Sequence, residues 1–457
     1  MVITLLAIAS VLYLALQLED KFKVPSPLGL IVLSFIFHAL MGDVFMLTGD
    51  AEHFAELVIL LLPILLIADS LELSVADLKE HGLSLFFLAV VAVALSVLAA
   101  LLIGQTLFSD YNLSTAAIIV LFAMVLATDP VSVVSIFSNF NLPHKLKILC
   151  EGESLFNDAT ALIVFVFIGL YALNGGEITV SYVTEISALV VLGSSALGVA
   201  FGYVGFAMLK TTTNRTAEMM VLILMGYGGF ELAEHFYTLL HMLGMHSHIH
   251  FSGILTCIFA TITVNHVMMR EVDQENAMID HEEDVLQGKP ITGGVIRTAV
   301  NKIKATVEER ERHLRTKEDM QLLALVANTM LFVAMAELIN MSLLWQYKTE
   351  IIIMFLATTV IRAVMMAKFA IITNQTDKMT NVNFRWWGVL TFAGIKGGLS
   401  IVMLMMIPAS FEHLEMFKAV VIGVVLLSTF IYSGILIVLI GKNQAAFSKE
   451  KEAEGAH

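Results

Sequence analysis

The stretch AIIVLFAMVLATDPVSVVSIF, residues 117–137, decides how the chain folds. It is long and apolar enough to cross a hydrocarbon core of about 30 Å, yet Thr128, Asp129 and Pro130 interrupt it in the middle. Proline removes a backbone donor and disfavours helical geometry at the residue before it. The helix is therefore expected to unwind near Asp129, freeing carbonyls such as that of Thr128. Broken backbone at that depth is tolerated only where it lines a cavity or is buried in protein. The fold class that follows is an all-α polytopic membrane protein with at least one interrupted span.

The rest of the chain has the same apolar character. Of its 457 residues, 58% are hydrophobic and 14% charged, with a mean hydropathy of +0.84; about 25% charged residues is ordinary in soluble domains. Thirteen spans are expected, at about 2–17, 27–46, 54–72, 83–107, 114–139, 148–173, 182–209, 217–236, 247–267, 320–345, 349–373, 386–408 and 416–440. The alternation of an outer-membrane barrel is absent. MVITLLAIASVLYLALQLED, residues 1–20, has no basic n-region and no A-x-A site, and reads as a retained first helix.

With the N-terminus outside, 22 of the 26 Lys and Arg fall on inward segments and only Lys348 and Lys418 on outward ones. The expected topology is therefore N-out, C-in. Arg362 and Lys396 lie inside spans. One transmembrane domain is expected over 1–441, including an inward loop at 268–319, followed by a short inward tail at 442–457. The second half of that loop, GGVIRTAVNKIKATVEERERHLRTKEDM, has helical spacing with mixed charges and reads as a surface helix. A pH-sensing role there would rest on His281 or His313, and no motif specifies one.

An ionisable side chain at mid-membrane costs at least about 2.5–3.5 kcal/mol, so each one asks for a reason. In EGESLFNDAT, residues 151–160, helical spacing sets Glu151, Ser154 and Asp158 on one face and Glu153 and Asn157 on a neighbouring stripe. Asp129, Asp158, Ser154 and the Thr128 carbonyl supply the hard oxygen ligands that a small monovalent cation such as Na⁺ prefers. In FAGIKGGLSIVML, residues 392–404, Gly394 and the Gly397–Gly398 pair weaken the helix around Lys396. Two interrupted helices in corresponding halves point to an inverted-repeat transporter with a midplane site. Arg362, buried in IIIMFLATTVIRAVMMAKF, needs a carboxylate partner. Glu153 is the candidate, since Asp129 and Asp158 must be free to bind and release.

Other chemistry finds little footing. Cys150 and Cys257 have no metal spacing and imply no disulfide framework. No nucleophile–base motif, metal motif or phosphate loop appears at a credible spacing, so neither an enzyme nor a resident cofactor is expected. His246, His248 and His250 would align three imidazoles only on an extended strand, and read as part of an outward polar loop.

At TDPVSVV (128–134) followed by EGESLFNDA (151–159), the chain resembles the monovalent cation/proton antiporter-1 family, specifically the prokaryotic Na⁺/H⁺ antiporters of the NhaP type. The likeness extends over all thirteen spans and includes the IKGGLS segment and Arg362. It implies an antiporter fold of inverted repeats with two crossed, partly unwound helices, here spans five and twelve. It further implies a homodimer in the cell membrane, each protomer having a dimerisation domain and a mobile core. The transported ions would be Na⁺ and H⁺, with Thr128 (main chain), Asp129, Ser154 and Asp158 as Na⁺ ligands. Asn157 would hold the unwound stretch, Glu153 would pair with Arg362, and the Asn157–Asp158 pair would mark one-for-one, electroneutral exchange. Two departures stand out: Lys396 where the family has arginine, and IADSLEL (67–73), where a familial glutamate is replaced by Ala68 with Asp69 beside it. The rival readings are a passive cation channel, using the same acids without proton coupling, and a proton-pumping subunit of a redox complex, which would need more intramembrane lysines. Nucleic acid is not an expected partner; lipid is.

Overall fold

A computed structural model describes residues 2–22, 24–42, 51–242, 250–286, 293–376 and 379–454, giving only the backbone for the helical residues between 271 and 303. His246 and His248 lie outside the described residues, as does the side chain of His281. In chain order the helices are α1 (Val2–Phe22), α2 (Ser26–Met41), α3 (Ala51–Ser70), α4 (Val75–Phe86), α5 (Ala92–Leu107), α6 (Thr115–Leu126), α7 (Pro130–Ser138) and α8 (His144–Ile163). The chain continues with α9 (Tyr171–Leu173), α10 (Val180–Leu209), α11 (Arg215–Glu234), α12 (Phe236–Met242), α13 (Gly253–Leu286) and α14 (Gly293–Glu337). Last come α15 (Met341–Gln346), α16 (Lys348–Thr373), α17 (Phe384–Phe392), α18 (Gly398–Met405) and α19 (Leu414–Glu454).

Among the described residues ten helices are long and apolar enough to cross a membrane, where thirteen spans are expected from the sequence. The other three expected spans fall on the shorter α2, on α3 with Pro63 inside it, and on the pair α17–α18, interrupted at 394–397. The expected loop at 268–319 is largely helical, because α13 and α14 run on into it without a break at the end of the apolar stretch. The tail from 442 is likewise a continuation of α19.

The chain divides into two compact units. The first comprises residues 1–62, 76–187 and 327–457 and carries both interrupted helices. Much of its core is apolar, residues 117–125 of α6 being all buried, and it encloses a few polar and charged side chains. Two π-helical stretches, Phe87–Val91 between α4 and α5 and Val164–Leu170 after α8, widen the helical turn, the first of them beside the cavity that Glu153 and Arg362 line. Such bulges concentrate at functional sites. Glycines bring helices close: a Cβ on Gly152 would lie 2.8 Å from Leu85 Cδ2, and one on Gly169 would lie 2.8 Å from Val120 Cγ2.

The second unit comprises residues 63–75 and 188–326. Here α10 approaches α13 along Gly198 and Gly202, a small-residue spacing that favours helix contact in lipid. Ser194 Oγ accepts the Ser252 amide at 2.8 Å. Polar groups gather at one end: Glu218 accepts from Arg312 Nε at 2.8 Å and faces His313 Nδ1 at 2.9 Å, while His313 Nε2 faces Asn265 Oδ1 at 2.9 Å. His313, exposed on the sequence reading, is instead a buried tie between α11, α13 and α14. Asp69 belongs to this unit and is half-buried. His250 stacks on Tyr237, ring centroids 4.8 Å apart.

A Cβ on Gly202 would lie 2.8 Å from the Ala260 carbonyl oxygen and 2.5 Å from Thr263 Cβ, whereas one on Gly228 meets nothing nearer than 3.5 Å. Gly202→Ala should therefore destabilise by about 1–3 kcal/mol. Thermal unfolding of the purified protein in detergent should show a lower midpoint for it, with Gly228→Ala close to the parent.

Candidate functional site

The centre of the first unit is built from two broken helices and the helix α8 beside them. Residues Ala127–Asp129 separate α6 from α7, as Pro130 demands, and 394–397 separate α17 from α18. Each break exposes backbone groups, and the two breaks meet: the Asp129 amide donates to the Ile395 carbonyl at 2.7 Å. The approach requires glycine, because a Cβ on Gly397 would lie 2.6 Å from Asp129 Cβ.

Side chains on α8 face the same place. Asp158 Oδ1 accepts the Thr128 amide at 2.9 Å. Asn157 Nδ2 donates to the Leu126 carbonyl at 2.9 Å and to Thr128 Oγ1 at 3.1 Å, joining α8 to the unwound stretch. Ser154 Oγ is fully buried and has no hydrogen-bond partner among the described residues, an orphaned oxygen one helical turn from Asp158. Thr128, Ser154, Asn157 and Asp158 are all buried, Asp158 being 9% exposed.

Asp129 is placed differently. Its carboxylate caps α7: Oδ1 accepts the Val131 amide at 3.2 Å, and Oδ2 accepts the Ser132 amide at 3.2 Å and the Ser132 hydroxyl. Ser132 joins the site through a signal present in the sequence: Asp-Pro-x-Ser at a helix start is an N-cap pattern with a hydroxyl three residues on. Asp129 is thus bonded to the start of its own helix and not to Arg362.

Glu153 and Arg362 form a bidentate pair, Nη1 to Oε1 at 3.0 Å and Nη2 to Oε2 at 2.8 Å. Arg362 also donates to the Leu390 and Thr391 carbonyls at the end of α17, where backbone donors run out. Gly394 leaves the space for its guanidinium. Lys396 is buried; its amide donates to Ser428 Oγ at 3.0 Å and its Nζ to the Leu126 carbonyl at 3.4 Å. Glu153, Asn157, Arg362 and Lys396 line a cavity of about 20 Å³, room for one water molecule. Glu151, on the same helix, is only partly buried.

An oxygen-rich, largely buried site thus lies at the crossing of two broken helices in a chain of apolar, membrane-length helices, and comparison with known proteins gives the family. The profile of the family "Sodium/hydrogen exchanger, transmembrane" matches residues 6–281, and the chain belongs to that family. It is similar to the Na(+)/H(+) antiporter NhaH of Halobacillus dabanensis, 29% identical over 242 residues, covering 52% of this chain and 59% of that protein. It is similar also to the Na(+)/H(+) antiporter ApNhaP of Aphanothece halophytica, 24% identical over 368 residues, 80% of this chain and 60% of that one. The chain thus spans at most about three-fifths of the length of these two relatives. In fold it matches the sodium proton antiporter MjNhaP1 from Methanocaldococcus jannaschii, with a TM-score of 0.68 at 15% identity, over 97% of this chain and 96% of that one.

Removing one partner of a buried pair leaves an uncompensated charge and costs about 3–5 kcal/mol, whereas replacing both with apolar groups is often close to neutral. Glu153→Gln should therefore unfold at a markedly lower temperature than the parent, and Glu153→Leu/Arg362→Met at a higher one than either single variant. Equal, additive losses in the cycle would show that the pair is not coupled.

Proposed function

We propose that this chain exchanges Na⁺ for H⁺ across the cell (inner) membrane by alternating access, one ion for one. The observation that carries the reading is the buried oxygen set at the crossing: Asp158 on the Thr128 amide, the orphaned Ser154 hydroxyl, and the unwound backbone at 127–129. Thr128 (main chain), Asp129, Ser154 and Asp158 are the proposed ligands. A carboxylate in such a place holds a proton or a cation, not both, and that competition couples the two fluxes. Asn157, bonded to Leu126 and Thr128, keeps the unwound stretch against α8. Glu153 and Arg362 satisfy each other, so the pair is a fixed strut and takes no part in the competition. Asn157 preceding Asp158, in place of a second acid, supports one-for-one exchange indifferent to membrane voltage.

Burial of Thr128, Ser154 and Asp158 speaks for a carrier that exposes its site to one side at a time, against a channel whose ligands stay wet. Family membership and the names of the relatives support the ion pair; the N-out, C-in orientation and a homodimer complete the proposal.

Proteoliposomes carrying the pure protein should show proton movement on addition of Na⁺, followed by a pH-sensitive dye. The signal should fall to background in Asp158→Asn and stay unchanged when valinomycin and K⁺ clamp the voltage. Na⁺ uptake without proton movement would leave the channel as the reading.

A further inference from the structure

At about 1.5 Å per residue, the 41-residue α19 is about 60 Å long, twice the hydrocarbon thickness. About half of that length must lie outside the hydrocarbon, and the charged residues from Lys442 on put much of it at the C-terminal end, which is not a loose tail. Phe447 is completely buried. Glu454 Oε2 accepts the His144 amide at 2.7 Å, at the start of α8. Glu450 accepts three donors: Asn383 Nδ2 at 3.1 Å and Arg385 Nη2 at 2.5 Å on Oε1, and Trp386 Nε1 at 2.9 Å on Oε2.

All three donors belong to the first turn of α17 or its cap. Asn383 is that cap, its Oδ1 accepting the Trp386 amide at 3.0 Å, so Glu450 orients the residue that starts the helix. The carboxylate also sits at the end of α17 where the helix dipole favours negative charge. The Arg385 pairing is 40% and 26% exposed on its two sides and is worth little as an ion pair. The bonds to Asn383 and to the buried Trp386 fix the geometry instead.

α17 is only nine residues, about 13 Å long. Its far end carries the Leu390 and Thr391 carbonyls that hold Arg362, and three residues beyond Phe392 stands the Ile395 carbonyl that holds the Asp129 amide. No helical ladder crosses the break at 394–397 to fix this half-helix from α18, so its placement depends on outside contacts. α19 supplies them at both ends, Ser428 at Lys396 and Glu450 at the cap.

We infer that Glu450 is a positioning residue for the cation site, acting through α17 from the far end of α19. This rests on the exchange reading above. In proteoliposomes, Glu450→Ala should raise the Na⁺ concentration for half-maximal proton movement about three- to tenfold, inside the roughly 2- to 30-fold span of remote couplings, with a smaller change in maximal rate per purified protein. Glu450→Gln, which keeps a carbonyl acceptor, should recover most of the affinity. Amide exchange measured by mass spectrometry on the peptide over 393–400 should be faster in Glu450→Ala. An unchanged half-maximal concentration, with rate falling only as protein recovery falls, would reduce Glu450 to a stabilising contact and overturn the inference. If the parent itself moves no protons with Na⁺, the exchange reading fails, and the amide exchange decides alone: unchanged protection at 393–400 overturns the positioning role and faster exchange upholds it.

Discussion

The bond from the Asp129 amide to the Ile395 carbonyl is the contact on which the centre of the first unit depends. Every unpaired backbone group in hydrocarbon costs several kcal/mol, so a lone broken helix is hard to keep there. Two breaks that meet satisfy each other. The donors around the first break can be accounted for one by one. Thr128 donates to Asp158, Asp129 to Ile395, and Val131 and Ser132 to the Asp129 carboxylate; Pro130 has no donor to satisfy. The amides from Thr128 to Ser132 are thus all satisfied, and Gly397 is the residue whose lack of a side chain lets the two breaks meet.

The charges follow from the same arrangement. Half-helices end inside the protein, leaving orphan carbonyls at the end of α6 and orphan amides at the start of α7. Lys396 Nζ reaches the Leu126 carbonyl, the last residue of α6, and the Asp129 carboxylate covers the first amides of α7. Each charge has the sign that the helix dipole favours at that end. Arg362 does the corresponding work for α17, spending its Nε on the Leu390 and Thr391 carbonyls while its fork holds Glu153. With Arg362 serving Glu153, the cation at 396 needs no planar fork, and a lysine suffices for a single carbonyl.

Much of this is legible in the sequence because the membrane leaves few options. An apolar run of about 20 residues must be helical, and an acid before proline or a lysine among glycines within one weakens it, so both interruptions can be read from residues 128–130 and 394–398, whereas Pro63 and the Gly228–Gly229 pair leave α3 and α11 unbroken. The family, too, can be read from TDP and EGESLFND together. What escaped the reading depends on tertiary placement. The Asp129 side chain turns onto its own helix, a choice between a cap and an open cavity that spacing does not encode. His313 falls on a stretch that reads as a surface helix, yet it is enclosed by Glu218 and Asn265 from other helices. The loop at 268–319 and the tail from 442 read as appendages because their hydropathy drops, while helical hydrogen bonding continues through them regardless of polarity.

The two aspartates, adjacent in the reading, are unequal as acceptors in this geometry. A carboxylate oxygen has two lone pairs. Asp129 Oδ2 spends both on Ser132, and Oδ1 spends one on Val131, leaving a single acceptor position. On α8, the buried Ser154 hydroxyl makes no hydrogen bond among the described residues, and Asp158 meets the break through a neutral amide. The Ser154 hydroxyl therefore offers at the crossing acceptor capacity that Asp129 has mostly spent. The broken helices serve as the frame that holds α8's oxygens away from water, and a frame of this kind must be rigid where its two breaks touch.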